Sequence, residues 1–224
     1  MTESEWLDET NVSQWMANAL YDRRVSRTKS GRRKLRLFAC GCCRLAWKTI
    51  PNKRLRDAVQ TAERFADGTA SAAELAAARA GVERLASDRG PYGKSSTRVR
   101  VAVDMAIATT EPGPYEAAHA MTATEAPLAG AMPESEAEAY VCDLFRCVFG
   151  NPFRPAALPK GWRTADVLGL ARAIYEDRAF DRLPLLADAL MDAGCGDDQV
   201  LGHCRGAGPH VRGCWVVDLV LGKG

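Results

Sequence analysis

The sequence predicts an all-α fold, a helical bundle or short helical array of about nine to eleven helices. Three observations carry this. Apolar residues recur at three- and four-residue spacing in segment after segment, most of those segments open on a capping residue and close on glycine or proline, and the alternation expected of strands is scarce.

In chain order, a short helix over 3–7 and a second over 13–22 turn Trp6, Trp15, Met16 and Leu20 inward. A longer helix over 32–50 follows, with Leu35, Phe38, Cys42, Leu45 and Thr49 on one face and Arg36, Arg44 and Lys48 on the other. Pro51 ends it, Asn52 caps the next helix, and that helix runs to Asp67, where Gly68 supplies a left-handed stop. Ser71 and Glu74 have capping-box spacing ahead of an alanine-rich helix that reaches Ser87.

Glycine, proline and serine make 88–96 a loop, and 97–109 reads as a helix with Val99, Val103, Met105 and Ile107 apolar. Two proline breaks, at Pro112 to Pro114 and at Pro133, bracket a short alanine-rich helix. Ser135 to Phe149 is amphipathic and stops at Gly150, and 151–163, with three prolines and two aromatics, reads as a packed loop. Thr164 caps a helix to Arg178, Asp181 caps another to Ala193, and Asp197 or Asp198 starts a short one through Cys204. Pro209 opens a final apolar helix ending in Trp215 to Leu221. That run is rich in β-branched residues, but a strand alone among helices lacks a pairing partner, so a buried helix is preferred. This punctuation gives an N-terminal basic helical part, 1–88, a connecting segment, 89–133, and a C-terminal helical part, 134–224, in one continuous globular unit.

A chain of 224 residues with 47% hydrophobic and 26% charged residues has enough apolar surface to fold without staples. No run approaches the roughly 18 apolar residues of a membrane span, and the start, Met1 to Glu5, is acidic where a secretory signal is basic and then apolar. The expectation is a cytoplasmic protein with no membrane partner and with its eight cysteines reduced.

The net charge of +2 conceals an asymmetry. Between Asp22 and Arg56 thirteen basic residues face one acid, whereas the rest of the chain carries seventeen bases against twenty-seven acids. Segment 23–56 therefore has the charge to meet phosphates or an acidic protein surface, with Arg32, Arg33, Arg36, Arg44 and Lys48 as the candidate contacts. The plainer alternative is a solvated helix face.

Signatures of common catalysis are missing. Gly90 to Ser95 ends in Gly-Lys-Ser without the spacing or the preceding strand of a phosphate loop, and there is no nucleophile elbow, no His-Glu-x-x-His and no pair of Cys-x-x-Cys motifs. The most suggestive constellation is Cys195, His203, Cys204, His210 and Cys214, which places two of the three histidines and three of the eight cysteines within twenty residues. Thiolate and imidazole in that proportion suit tetrahedral zinc, with Cys195, His203, His210 and Cys214 as ligands. His203 and Cys204, being adjacent, point apart, while His210 and Cys214 share a helix face. The preferred reading is structural, with no cofactor: the cysteines fill core volume and the histidines cap or bond loop carbonyls. Zinc and a catalytic Cys/His pair are the alternatives.

Arg33 to Arg44 (RKLRLFACGCCR) with Ala62 to Gly68 (AERFADG), and in the C-terminal part Phe149 to Pro155 (FGNPFRP), Ala173 to Tyr175, Phe180 to Pro184 and His203 to Trp215, resemble a large paralogous family of uncharacterised proteins of planctomycete bacteria. These stretches lie within 33–68 and 149–215. The resemblance implies neither a catalytic residue nor a cofactor. The function expected is a non-catalytic interaction module, an adaptor or scaffold with a protein partner. The alternatives are a nucleic-acid-binding protein using segment 23–56, and a Cys/His metal protein or enzyme.

Overall fold

The computed structural model describes residues 2–8, 25, 27–45, 47, 52–87, 97–111, 113 and 134–223. Among these there are ten α-helices and no strand: α1 Glu3–Asp8, α2 Lys29–Leu45, α3 Lys53–Ala66, α4 Ala72–Ser87, α5 Thr97–Thr109, α6 Glu134–Phe149, α7 Ala165–Asp177, α8 Leu183–Asp192, α9 Asp198–Arg205 and α10 Trp215–Leu221. The fold is all-α, as the periodicity predicts. The helix expected over 13–22, the loop over 88–96 and the alanine-rich helix before Pro133 lie outside the described residues.

The chain forms two compact units. One comprises Glu9–Cys142, and the other joins Met1–Asp8 to Asp143–Gly224. The boundary falls inside α6 and not at its start, and the first eight residues group with the C-terminal part, so the division differs from the three segments drawn from the sequence.

In the Glu9–Cys142 unit α2 packs on α3 and α5, and α4 packs on α3 and α5. Asn52 accepts from the Arg54 N–H to open α3, and Gly68, at φ 73°, leaves it. The Ser71 and Glu74 box is fully formed: Glu74 N–H donates to Ser71 Oγ at 3.2 Å and Ser71 N–H donates to Glu74 Oε2 at 2.7 Å. Helix α2 departs from its expected two-faced form. Residues 35–43 are buried without interruption, including Arg36 at 2% exposure, so this central stretch is enclosed on all sides, while Arg32 ahead of it is exposed.

The Met1–Asp8 and Asp143–Gly224 unit is built on α7, which packs against α8 and α10, with α9 against both α8 and α10. Val167, Ala171, Ile174, Leu183, Leu186, Leu190, Val200, Val216 and Val220 fill its core. Helix α1 belongs here because the Trp6 ring meets Phe145 edge-on at 5.9 Å, Arg146 Nε donates to the Trp6 carbonyl at 2.9 Å, and Asn151 Nδ2 donates to Glu3 Oε1 at 2.8 Å. Two sequence-based boundaries change. Asp181 lies in a short 3₁₀ turn, Phe180–Arg182, ahead of α8. Pro209 does not open the final helix. Gly213, at φ 91°, breaks the chain there, and α10 starts at Trp215 with Cys214 as its N-cap residue.

Candidate metal centre

Three separate pieces of the C-terminal unit deliver four side chains to one place. Helix α6 presents Cys147 in its last turn, where Gly150, at φ 70°, ends the helix. A Cβ at Gly150 would stand 3.2 Å from the Trp215 ring, so glycine meets both the turn and the close approach. Helix α9 presents His203. Its start is fixed by Asp197, whose Oδ1 accepts from the N–H groups of Gln199 and Val200 at 2.9 and 3.1 Å. The irregular stretch 206–211 carries His210, and the turn through Gly213 delivers Cys214.

Every one of the four donor atoms, the Sγ of Cys147 and Cys214 and a ring nitrogen of His203 and His210, lies within 4.8 Å of the others. His203 Nε2 stands 3.2 Å from Cys214 Sγ, and His210 Nδ1 stands 3.6 Å from Cys147 Sγ. The two imidazoles meet edge to face at 4.9 Å, with Trp215 5.2 Å from His203. Both cysteines are buried and both histidines are half-buried, so the imidazoles form the outer edge of the cluster.

The far side of His210 shows which nitrogen it offers. Its Nε2 is 3.2 Å from the Gly206 carbonyl, which only accepts, so Nε2 carries a proton and Nδ1 faces the cluster. A backbone carbonyl that orients the outer N–H of an imidazole is the support a metal-bound histidine ordinarily has.

Electrostatics point the same way. Burial pushes the Cys147 thiol well up, and its hydrogen bond and proximity to Cys214 add to that. Burial would also raise Cys214, but its hydrogen bond with Cys147 and the charge and hydrogen bonds of His203 and His210 outweigh it and hold this thiol well below the ordinary range. Burial works to lower His210, yet the hydrogen bond and charge of Cys214 and the Gly206 carbonyl raise it. The pocket thus favours a thiolate at Cys214 and positive charge beside it.

A four-coordinate zinc with two sulfur and two nitrogen ligands has tetrahedral edges of about 3.3–3.8 Å, from bonds of about 2.3 and 2.0–2.1 Å. The two donor pairs given above already stand near that spacing, and small side-chain rotations would draw in the widest. Among the described residues this is the one group of three or more such side chains placed to hold a metal ion.

The structure brings together three of the four ligands proposed from the sequence and replaces the fourth. Cys195 is absent from the cluster. It is buried among the core residues at the end of α8, its N–H donating to the Leu190 carbonyl at 2.9 Å. Cys204, adjacent to His203, points into the same core, as expected of consecutive helical residues. Cys147 takes the place of Cys195 from 56 residues upstream of His203. His210 and Cys214 meet through the Gly213 turn and not along a helix face.

The basic candidates lie in the Glu9–Cys142 unit, mostly engaged with their own chain. Arg33 pairs with Asp67 at 3.0 Å, Arg44 clasps both carboxylate oxygens of Glu63 at 2.9 and 2.7 Å, and buried Arg36 donates to the Thr109 carbonyl at 2.6 Å. The Arg36 and Arg44 guanidinium groups also lie over the Phe65 and Trp47 rings. Arg32 is exposed, with Nη1 donating to the Arg27 carbonyl at 3.0 Å, and Lys48 lies outside the described residues.

Comparison with protein-family models, with curated proteins and with solved structures found no match.

Proposed function

We propose that the protein is a non-catalytic helical interaction module whose C-terminal unit is closed by a structural zinc ion on Cys147, His203, His210 and Cys214. The observation that carries this is the convergence of two thiols and two imidazoles, drawn from α6, α9 and the 206–214 stretch, to within 4.8 Å. Softness and geometry favour zinc, since two thiolates with two imidazoles around one point are a tetrahedral zinc donor set.

Four protein ligands close the site, and a closed site supplies folding free energy and no position for a substrate. The His203 and Cys214 contact at 3.2 Å also has the spacing of a nucleophilic dyad. Cys214 is fully buried, however, and Cys147, His203 and His210 surround its sulfur, so it is not presented to a substrate of any size. A module of this kind acts through its surface, on a protein partner.

The reading is tested by elemental analysis of the purified full chain and of two variants. One zinc per chain is expected, retained by Cys195→Ser and lost in Cys147→Ser. Zinc lost on changing Cys195 and retained on changing Cys147 would move the site to the other ligand set, and no zinc in any of the three would end the metal reading.

A further inference from the structure

The zinc reading leaves one property of the donor set unused: it holds two sulfurs and no more. Cys147 and Cys214 are 67 positions apart in the chain, yet their Sγ atoms lie in the same 4.8 Å group. The remaining thiols of the unit, Cys195 and Cys204, lie in the apolar core outside the donor group. Each ligand sulfur therefore has one sulfur partner within the site.

We propose that the site is an oxidant-sensitive latch, in which a hydroperoxide joins Cys147 to Cys214 as a disulfide and expels the zinc ion. The inference rests on the zinc reading. The chemistry balances in two steps. One thiolate attacks a peroxide oxygen, the O–O bond breaks, and a sulfenic acid forms as hydroxide leaves. The second thiolate then attacks that sulfur, the S–S bond forms, and a second hydroxide leaves. Two electrons pass from sulfur to peroxide, two protons from solvent convert the hydroxides to water, and zinc departs as the aquo ion.

The structure makes this event all-or-none for the metal. A single two-electron oxidation removes both sulfur donors together and leaves only His203 and His210. Those two form the half-buried outer edge of the cluster, the least buried side, from which a small oxidant would approach. The disulfide would tie the end of α6 to the start of α10, the same two segments that zinc ties through sulfur. What is released is the imidazole edge, and above all His210, which sits on the irregular 206–211 stretch between α9 and α10. The unit then stays cross-linked while that stretch loses its metal anchor.

The test uses the unmodified, zinc-loaded full chain, titrated with hydrogen peroxide in the presence of a chromogenic zinc chelator. Release of zinc at one equivalent of peroxide per ion is expected, with non-reducing peptide mass spectrometry showing the Cys147–Cys214 disulfide. Dithiothreitol followed by zinc should restore the starting metal content, and Cys204→Ala should release zinc as the parent chain does. Zinc that stays bound while other thiols oxidise, or that leaves with sulfinic acids or a different cysteine pairing, overturns the latch and leaves the zinc site standing. A chain that contains no zinc before peroxide is added overturns both.

Discussion

Two regions of this chain are rich in cysteine and bury it equally, but they differ in what is set against the sulfur. In α2, Cys40, Cys42 and Cys43 crowd into four consecutive positions, the densest thiol motif in the sequence. All three are buried. Burial pushes each thiol up, with Glu63 and Cys43 adding to the effect at Cys40, and no imidazole is among the groups that act on them. In the C-terminal unit Cys147 and Cys214 are equally buried and 67 positions apart, but two histidines stand against them. The comparison teaches that thiol chemistry here follows from the second residue type brought to the sulfur and not from sulfur density. A cysteine without a partner charge is a small apolar side chain.

The sharpest way to break this comparison is to remove one sulfur from each region. Cys214→Ser should abolish zinc binding and cost more than about 5 kcal/mol of stability, because a structural zinc site contributes its binding free energy to folding. Prolonged treatment of the unmodified chain with a strong chelator should reproduce most of the fall in Tm. A chain whose melting is indifferent to the chelator would return Cys214 to the role of core filler that the sequence alone suggested.

The next effect belongs to the other unit, where ion pairs do the bracing. Glu63 is 2% exposed and receives both arms of Arg44. Glu63→Ala strands a largely buried guanidinium and should cost roughly 3 kcal/mol, read from denaturant unfolding, with zinc content unchanged. Smaller still, Cys43→Ala opens a small cavity beside α3, for which about 1–2 kcal/mol is expected, again with no change in metal. Loss of zinc in either variant would show that the two regions are not chemically independent.

The pattern of legibility follows the range of the interactions. Caps were readable because Asn52, Ser71, Thr164 and Asp197 act on backbone within three residues, and each bonds as its spacing predicts. The partners of the α2 arginines are not legible locally, because Asp67, Glu63 and the Thr109 carbonyl that engage them lie up to 73 positions away. The metal centre was readable for His203, His210 and Cys214, which are close in sequence. Cys147 gave no local signal. It occupies one position in an apolar helical stripe, and only the packing of the C-terminal unit sets it against His210.

The smallest expected effect decides what remains of the basic segment as a binding surface. Arg33, Arg36 and Arg44 are committed to Asp67, Thr109 and Glu63, so replacing them tests stability before it tests recognition. Arg32 is an exposed surface residue that donates to the Arg27 carbonyl, so Arg32→Ala should change stability by less than about 0.5 kcal/mol. That variant therefore isolates binding. If phosphates are the partner, the affinity of the parent chain for a short duplex DNA falls linearly in log–log form with salt, and Arg32→Ala flattens the slope by about one unit. With three of the four described candidates turned toward their own chain, the expected result is weak binding whose salt slope Arg32→Ala leaves unchanged. A slope that drops by a full unit in a variant of unaltered Tm would restore the N-terminal unit as a nucleic-acid surface, and would make its charge a working part of this protein.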